Sequence, residues 1–200
     1  MKDLGAEMID VEEIFTLSNV YDDEFTVLLY EFKDGLNKYF SQLENQKIKT
    51  LNELIEFNKE NNATEMPYFR QEIFEMAEEK GDLSEKEYLD ALELCRKGSR
   101  DEGIDRLLKE YNLDALIAPT GGPAWATDRV NGDHYIGGSS SPAAISGYPN
   151  ITVPSGFVNG LPIGLSFFST AYAEPKLIGL AYAFEQNKKH RQSPEFLTFI

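Results

Sequence analysis

Basic residues, histidine and cysteine are scarce in this sequence of 200 residues. The chain has 19 lysine and arginine residues against 34 aspartate and glutamate residues, a formal net charge of −15. Nucleic-acid binding requires clustered basic side chains, so this balance argues against a nucleic-acid partner. Cys95 is the single cysteine, which excludes an internal disulfide and favours a reducing, cytoplasmic location. No apolar run reaches the length of a membrane span, so we expect no membrane partner.

Charged and turn-forming residues are distributed unevenly along the chain. Residues 1–111 contain 28 acidic and 14 basic residues, whereas residues 112–200 contain six and five. Ten of the 15 glycines and eight of the nine prolines follow residue 111. We therefore expect a helical part, 1–111, followed by a strand and loop part, 112–200, that ends in a helix.

Apolar periodicity and capping patterns predict the helices. Between residues 23 and 42, apolar side chains recur at three- and four-residue steps, which is typical of an amphipathic helix. Three Ser/Thr-x-x-Glu patterns, which begin at Thr50, Ser84 and Ser99, predict further helix starts. A final helix is predicted from Glu174, and its expected inward-facing residues are Leu177, Leu180, Ala181 and Phe184.

Three short apolar runs in the second part predict strands, at residues 115–118, 151–153 and 161–169. Strands this apolar are typical of sheets that are covered on both faces and paired on both edges. We therefore expect the three strands to belong to a larger sheet.

The stretch Gly137-Gly138-Ser139-Ser140-Ser141-Pro142 has the composition of a loop that carries a nucleophile. Pro142 follows the serines directly, and proline is favoured in the first turn of a helix. We therefore predict that Ser141 caps a short helix that ends at Gly147, and that none of the three serines is a nucleophile.

Several longer segments resemble the C-terminal part of amidase signature enzymes. They are DALIAPTGGPAWATDRVNGD (114–133), SPAAISGYPNITVPSGFVNGLPIGLSFF (141–168) and EPKLIGLAYAFEQ (174–186), and the earlier pieces GAEMIDV, YEFKDGLNKYF, LNELIEFN and RQEIFEMA occur in the family's order. The resemblance implies an α/β chain that forms part of an α/β/α fold with a mixed central sheet. In this interpretation, residues 1–200 are the C-terminal portion of one amidase-like domain.

The resemblance also implies a reaction, the hydrolysis of a carboxylic amide to an acid and ammonia or an amine. In this family a Ser–cis-Ser–Lys triad performs it without a cofactor, and the triad lies upstream of the segments matched here. No lysine occurs between Tyr111 and Ala173, and no signature-like stretch follows the three serines. We therefore assign no catalytic residue to this chain and expect it to be inactive alone.

The loop around Trp125 is the expected contribution to a substrate cavity, because the matching family loop helps to wall that cavity. Trp125 then provides an apolar face for the acyl group, or it covers the sheet instead. Asp128 and Asn131 either bind polar parts of the substrate or hold a turn of the loop together. Both pairs of alternatives remain open at this point.

Other chemical roles have weaker support in the sequence. A Ser-His-Asp triad needs a serine, a histidine and an aspartate, and the chain offers His134 with Asp128 or Asp133. Asp128, Asp133 and His134 are also residue types that bind a cation. No regular spacing supports either site, and we predict no metal. Cys95 is expected to be a small buried apolar residue of its helix.

Two hypotheses of different classes follow. The first is an amidase segment whose substrate is a small-molecule amide in the full-length parent. The second is a non-catalytic module that binds a partner, either a missing N-terminal half or a second copy, through exposed sheet edges. A third possibility is a carrier that binds a small ligand at the Trp125 loop.

Overall fold

A computed structural model describes residues 1–11, 13–15, 19–44 and 47–194. The chain divides into two compact units. We call Leu17–Arg96 the helical unit, and Met1–Thr16 together with Lys97–Ile200 the sheet unit.

Five helices form the described part of the helical unit. They are α1 (Val20–Gln42), α2 (Leu51–Glu60), α3 (Asn62–Glu65), α4 (Glu72–Glu78) and α5 (Lys86–Arg96). The predicted amphipathic helix over 23–42 is confirmed by α1, whose Leu29 is buried with Leu51, Ile55 and Ala77 of α2 and α4. Not all of its apolar residues face this core, since Phe25 and Leu28 are exposed.

The capping predictions are right at one of three positions. The Thr50 hydroxyl accepts a hydrogen bond from the Glu53 amide at 3.2 Å, so Thr50 does cap α2. Helix α5 begins only at Lys86, because the Ser84 amide and hydroxyl both donate to the nearby Asp82 carboxylate. Ser99 is also not a cap, since it lies inside a π-helical segment.

That π-helical segment, Lys97–Ile104, opens the longer part of the sheet unit. The elements that follow are α6 (Asp105–Glu110), β1 (Leu116–Pro119), α7 (Ser141–Ser146), β2 (Asn150–Val158), β3 (Leu161–Phe168) and α8 (Glu174–Lys188). A short 3₁₀ turn, Lys2–Leu4, lies near the N-terminus. All three predicted strands and the final helix are therefore confirmed, with boundaries shifted by a few residues.

The described strands form an antiparallel sheet in the order β1-β3-β2. One face packs against α8, where Leu177, Ala181 and Phe184 are buried against Val153 and Phe167. A fully buried leucine or phenylalanine, such as Leu177 or Phe167, contributes roughly 1.5–3 kcal/mol to stability. The inward stripe predicted for the last helix is confirmed.

The opposite face of the sheet is covered along only part of its length. Leu116 and Phe168 pack there with Ile104, Leu107 and Ala143. Beyond this apolar cluster, the same face carries the side chains of Thr120, Asn150, Thr152 and Ser166. The larger mixed sheet that was expected from the sequence remains a prediction, since the described strands pair only with one another.

Among the described residues, the structure contains no helix with the length and apolar character that a membrane span requires.

Candidate functional site

A long loop leaves β1 and returns to the sheet before α7. Gly121 and Gly138 form an isolated antiparallel bridge at its neck, and the Ser139 amide donates to the Thr120 carbonyl at 3.2 Å. The neck fixes the two ends of the loop beside the sheet.

Asp128 organises a tight turn within this loop. Its Oδ1 accepts hydrogen bonds from the amides of Val130 and Asn131, both at 2.9 Å, and its Oδ2 accepts from the Asn131 side chain at 3.0 Å. The backbone amide and side chain of Asn131, followed by the Val130 amide, lower the pKa of the Asp128 carboxyl. These contacts are those of a residue that holds a turn together.

Trp125 lies on the same loop and contacts Tyr135, with ring centroids 6.1 Å apart. It belongs to neither apolar cluster of the sheet faces, and 41% of its surface is exposed. Trp125, Asp128 and His134 line an open concavity of about 500 Å³. The predicted wall residue Asn131 is not among the lining residues, because its side chain faces the Asp128 carboxylate.

A second concavity, of about 600 Å³, lies where the hydroxyl-bearing face of the sheet meets α7. Its polar lining includes Thr120, Thr152 and Ser166, which come from three neighbouring chain segments. The Thr120 hydroxyl lies 2.9 Å from that of Ser166 and also contacts that of Thr152. We call these three side chains the hydroxyl row.

Sequence reasoning missed the hydroxyl row. Thr152 lies between Ile151 and Val153, and Ser166 lies between Leu165 and Phe167, so each interrupts an apolar run. A polar residue in such a run is the informative exception to apolar burial. Their proximity depends on the strand register, which places Thr152 opposite Ser166 in the antiparallel pair. That register is not readable from the sequence alone.

The three consecutive serines behave as structural residues. Helix α7 begins at Ser141 with Pro142 in its first turn and ends at Gly147, whose φ of 69° is left-handed. Ser140 rather than Ser141 occupies the N-cap position, without a side-chain capping bond, so the predicted cap is wrong by one residue. Ser141 is already the first residue of α7, and Ser140 before it also has right-handed helical dihedrals (φ −76°, ψ −34°) rather than the extended ones typical of a capping residue.

No activated serine is visible at this position. The Ser139 hydroxyl is buried without a hydrogen-bond partner, and the described residues place no lysine or histidine against it. His134 forms no hydrogen bond to Asp128 or Asp133 in the described part of the chain. The residue types of a Ser-His-Asp triad are therefore present but not assembled.

The wall beside the second concavity is held by a charged cluster behind it. The Arg100 guanidinium donates to the Ser146 carbonyl at 2.7 Å and lies 5.3 Å from the centre of the Tyr148 ring. The Tyr148 hydroxyl donates to Asp105 at 2.6 Å. Burial, followed by the Asp105 carboxylate, raises the pKa of Tyr148. These contacts fix α7 and the start of β2.

Cys95 lines neither concavity, whereas the candidate metal ligands Asp128 and His134 both line the first one. Cys95 is 3% exposed in α5, as predicted, and burial together with the negative charges of Asp23, Glu24 and Glu31 raises the pKa of its thiol to about 11. Within the described ranges, no group of three or more His, Cys, Asp or Glu side chains is arranged to hold a metal ion.

Comparison with known proteins identifies the family. The model of the Amidase family matches residues 1–178. The chain belongs to the amidase family. It is 36% identical over 177 residues to an Arabidopsis thaliana protein named "Probable amidase", and the match covers 87% of this chain and 31% of that protein.

Solved structures agree in both sequence and fold. Native peptide amidase from Stenotrophomonas maltophilia is 41% identical with a TM-score of 0.84, and the match covers 94% of this chain and 37% of that one. A peptide amidase in complex with the competitive inhibitor chymostatin is 43% identical with a TM-score of 0.84, covering 88% and 36%. The chain thus spans about a third of the length of the relatives it matches, and it shares the α/β fold of amidase signature enzymes.

Proposed function

We propose that these 200 residues are the C-terminal portion of an amide hydrolase and supply part of its substrate cavity, without carrying the catalytic residues. The parent reaction is the hydrolysis of a carboxylic amide to an acid and ammonia or an amine. Family membership supports the reaction class, and the names of the structural relatives favour a peptide-derived amide as the substrate.

The observation that carries the proposal is the open Trp125 concavity on a loop whose neck is tied to the sheet. Trp125 is partly exposed on a concave surface and is free of both sheet clusters, which suits an apolar wall. Asp128 and Asn131 contribute to this wall by holding the turn that follows Trp125, rather than by separate contacts to substrate.

We also propose that this chain alone does not hydrolyse amides. Serine hydrolysis needs a nucleophile within reach of a base. The described residues offer Ser139 no base, and no lysine occurs between Tyr111 and Ala173. The chain is expected to act with the remaining part of an amidase and, given its single buried thiol, in the cytoplasm.

Fluorophosphonate labelling followed by intact-mass measurement tests this proposal. Full-length peptide amidase from Stenotrophomonas maltophilia serves as the positive control. We expect no adduct on the folded chain. A single adduct that is lost on denaturation, and that Ser139→Ala, Ser140→Ala or Ser141→Ala removes, would show an activated serine and overturn the proposal.

The substrate wall is tested in a chimera in which this chain replaces the matched portion of that peptide amidase. We expect Trp125→Ala to raise KM for a peptide amide more than it lowers kcat. Tyr172→Ala is the matched control, because Tyr172 is an aromatic residue with 91% exposure. Equal kcat and KM values for the Trp125→Ala chimera and its parent would show that Trp125 is not part of the substrate cavity.

A partner-binding module is the second candidate, and the sheet edges favour it. In the described residues β1 and β2 pair only with β3, which leaves one edge of each strand unpaired. Unpaired edges are templates for pairing with another chain or a second copy. Light scattering on a sizing column measures this directly, and a monomer over a broad concentration range would exclude self-association.

A further inference from the structure

The second concavity differs from the first in having no charged lining side chain. Its wall consists of hydroxyls, alanine methyl groups, the Tyr148 ring and the Asn150 amide. The Arg100 guanidinium lies behind this wall, where it donates to the Ser146 carbonyl and lies over the Tyr148 ring. The lining residues themselves offer no opposite charge to a charged ligand, and leaving a charge unpaired is costly. The lining therefore favours a neutral ligand with hydrogen-bonding groups.

The hydroxyl row has a limited supply of protons. The Thr120 hydroxyl contacts both Thr152 and Ser166, but it has one proton and donates to only one of them. Thr152 also reaches the Leu165 carbonyl, at a long 3.4 Å. Because hydroxyls rotate, the row can present either a donor or an acceptor at its outer end.

That outer end is Thr152. Ser166 is 1% exposed, whereas Thr152 lies on the exposed surface of β2. Asn150 lies two residues before Thr152, and alternate residues of a strand share one face. Thr152 and Asn150 therefore present a hydroxyl and a carboxamide side by side to the concavity, and each offers both donor and acceptor groups.

We propose that Thr152, supported by the hydroxyl row, and Asn150 bind a non-reacting amide group of the substrate. An amide is neutral and has one N–H side and one C=O side, which matches a pair of side chains that both donate and accept. The assignment makes this face a determinant of specificity for substrates that carry a second amide, as peptides do. It rests on the proposed function.

Nuclear magnetic resonance titration of the ¹⁵N-labelled full chain tests the assignment. The probes are N-acetyl-alanyl-alaninamide, which is neutral, and N-acetyl-alanyl-alanine, which carries a carboxylate. With the amide, we expect saturable chemical-shift changes at Asn150, Thr152 and their strand neighbours. The carboxylate should bind at least about threefold more weakly, which is the loss of affinity expected when one ordinary hydrogen bond is missing.

Three variants make the test specific. Thr152→Val keeps the branched shape without the hydroxyl and is expected to weaken binding about three- to tenfold, whereas Thr152→Ser keeps binding. Thr64→Val is the matched control, because Thr64 is an exposed threonine of α3 that lines neither concavity. Preserved dispersion of the amide resonances verifies that each variant is folded.

Each other outcome overturns the subsite. Unchanged affinity in Thr152→Val shows that the hydroxyl row does not bind the probe. Shift changes confined to the Trp125 loop place the amide in the other concavity, and the proposed function stands without this subsite. No saturable binding at all also refutes the subsite, while the fluorophosphonate and chimera experiments decide the proposed function separately.

Discussion

A Cβ atom added to Gly164 would lie 2.7 Å from the Oγ1 atom of Thr120. The same atom would lie 2.7 Å from Oγ1 of Thr152, so the backbone of β3 passes directly beneath two members of the hydroxyl row. Glycine at this position lets the two threonine hydroxyls approach each other across the strand between them. The close approach of the two hydroxyls therefore depends on glycine, which has no side chain, at position 164.

Gly164→Ala is expected to destabilise the chain by roughly 1–3 kcal/mol, because threonine side chains are stiff and the added methyl group forces them apart. Urea unfolding followed by circular dichroism measures the change. Gly179→Ala is the matched control: nothing lies within 4 Å of its added Cβ in α8, and removal of a helical glycine is expected to stabilise by about 0.5–1 kcal/mol. Equal effects of the two variants would contradict the close approach at Gly164.

The environment of the Tyr30 hydroxyl predicts that the chain loses stability at alkaline pH. Its buried hydroxyl lies 2.7 Å from carboxylate oxygens of both Glu85 and Glu87, and hydrogen bonding to Glu85, then to Glu87, together with burial, raises the pKa of Tyr30. A tyrosine in the unfolded chain ionises near pH 10, so the folded state keeps a proton that the unfolded state releases. The contribution of Tyr30 to stability is therefore complete below about pH 10 and declines above it.

Tyr30→Phe should lower the free energy of unfolding at pH 7, and the difference from the wild type should shrink as the pH rises above about 10. Chemical unfolding at several pH values provides the comparison. Tyr39→Phe is the control, since Tyr39 is 58% exposed. A difference that stays constant over this pH range would argue against the raised pKa.

The hydrogen bonds of Asp128 predict that its turn loses stability at acidic pH. Because its pKa is lowered in the folded chain, its contribution to the turn is complete above the unfolded value near 4 and is lost as the pH falls below it. Trp125 is the single tryptophan, so its fluorescence reports on this loop alone. We expect an emission change at acidic pH, and Asp128→Asn should show the acid-like emission already at pH 7.

Asp133→Asn is the matched control for that change, since Asp133 accepts none of the hydrogen bonds of the Asp128 turn. Wild-type emission in Asp128→Asn at pH 7 would mean that the carboxylate does not maintain the position of Trp125.

Cys95 is expected to resist thiol reagents while the chain is folded. It is 3% exposed and its pKa is raised to about 11, so the thiolate is both scarce and inaccessible at pH 8. Modification by a maleimide, read out by intact mass, should be at least roughly tenfold slower in buffer than in denaturant. Equal rates in the two solutions would show that α5 does not bury the thiol.

The sequence by itself determined the three strands of the sheet unit, its helices α7 and α8, and the family. Apolar runs bounded by prolines and glycines predicted β1, β2 and β3, because strand burial depends on the apolar character of local residues. The inward-facing apolar residues of α8 were predicted in the same way, from the spacing of local apolar residues. The Trp125 loop was identified from the resemblance, and the burial of Cys95 from its place in an apolar stripe.

Only the tertiary structure decided which polar groups meet. Ser84 does not cap α5, because the carboxylate of Asp82 competes for its hydroxyl, and a local pattern does not reveal such a competitor. Asp128 and Asn131 were named together through the family resemblance, and only the structure shows their hydrogen bonds to each other across a turn. Thr120, Thr152 and Ser166 lie far apart in the chain and meet through strand register, since register sets which side chains face each other across a sheet.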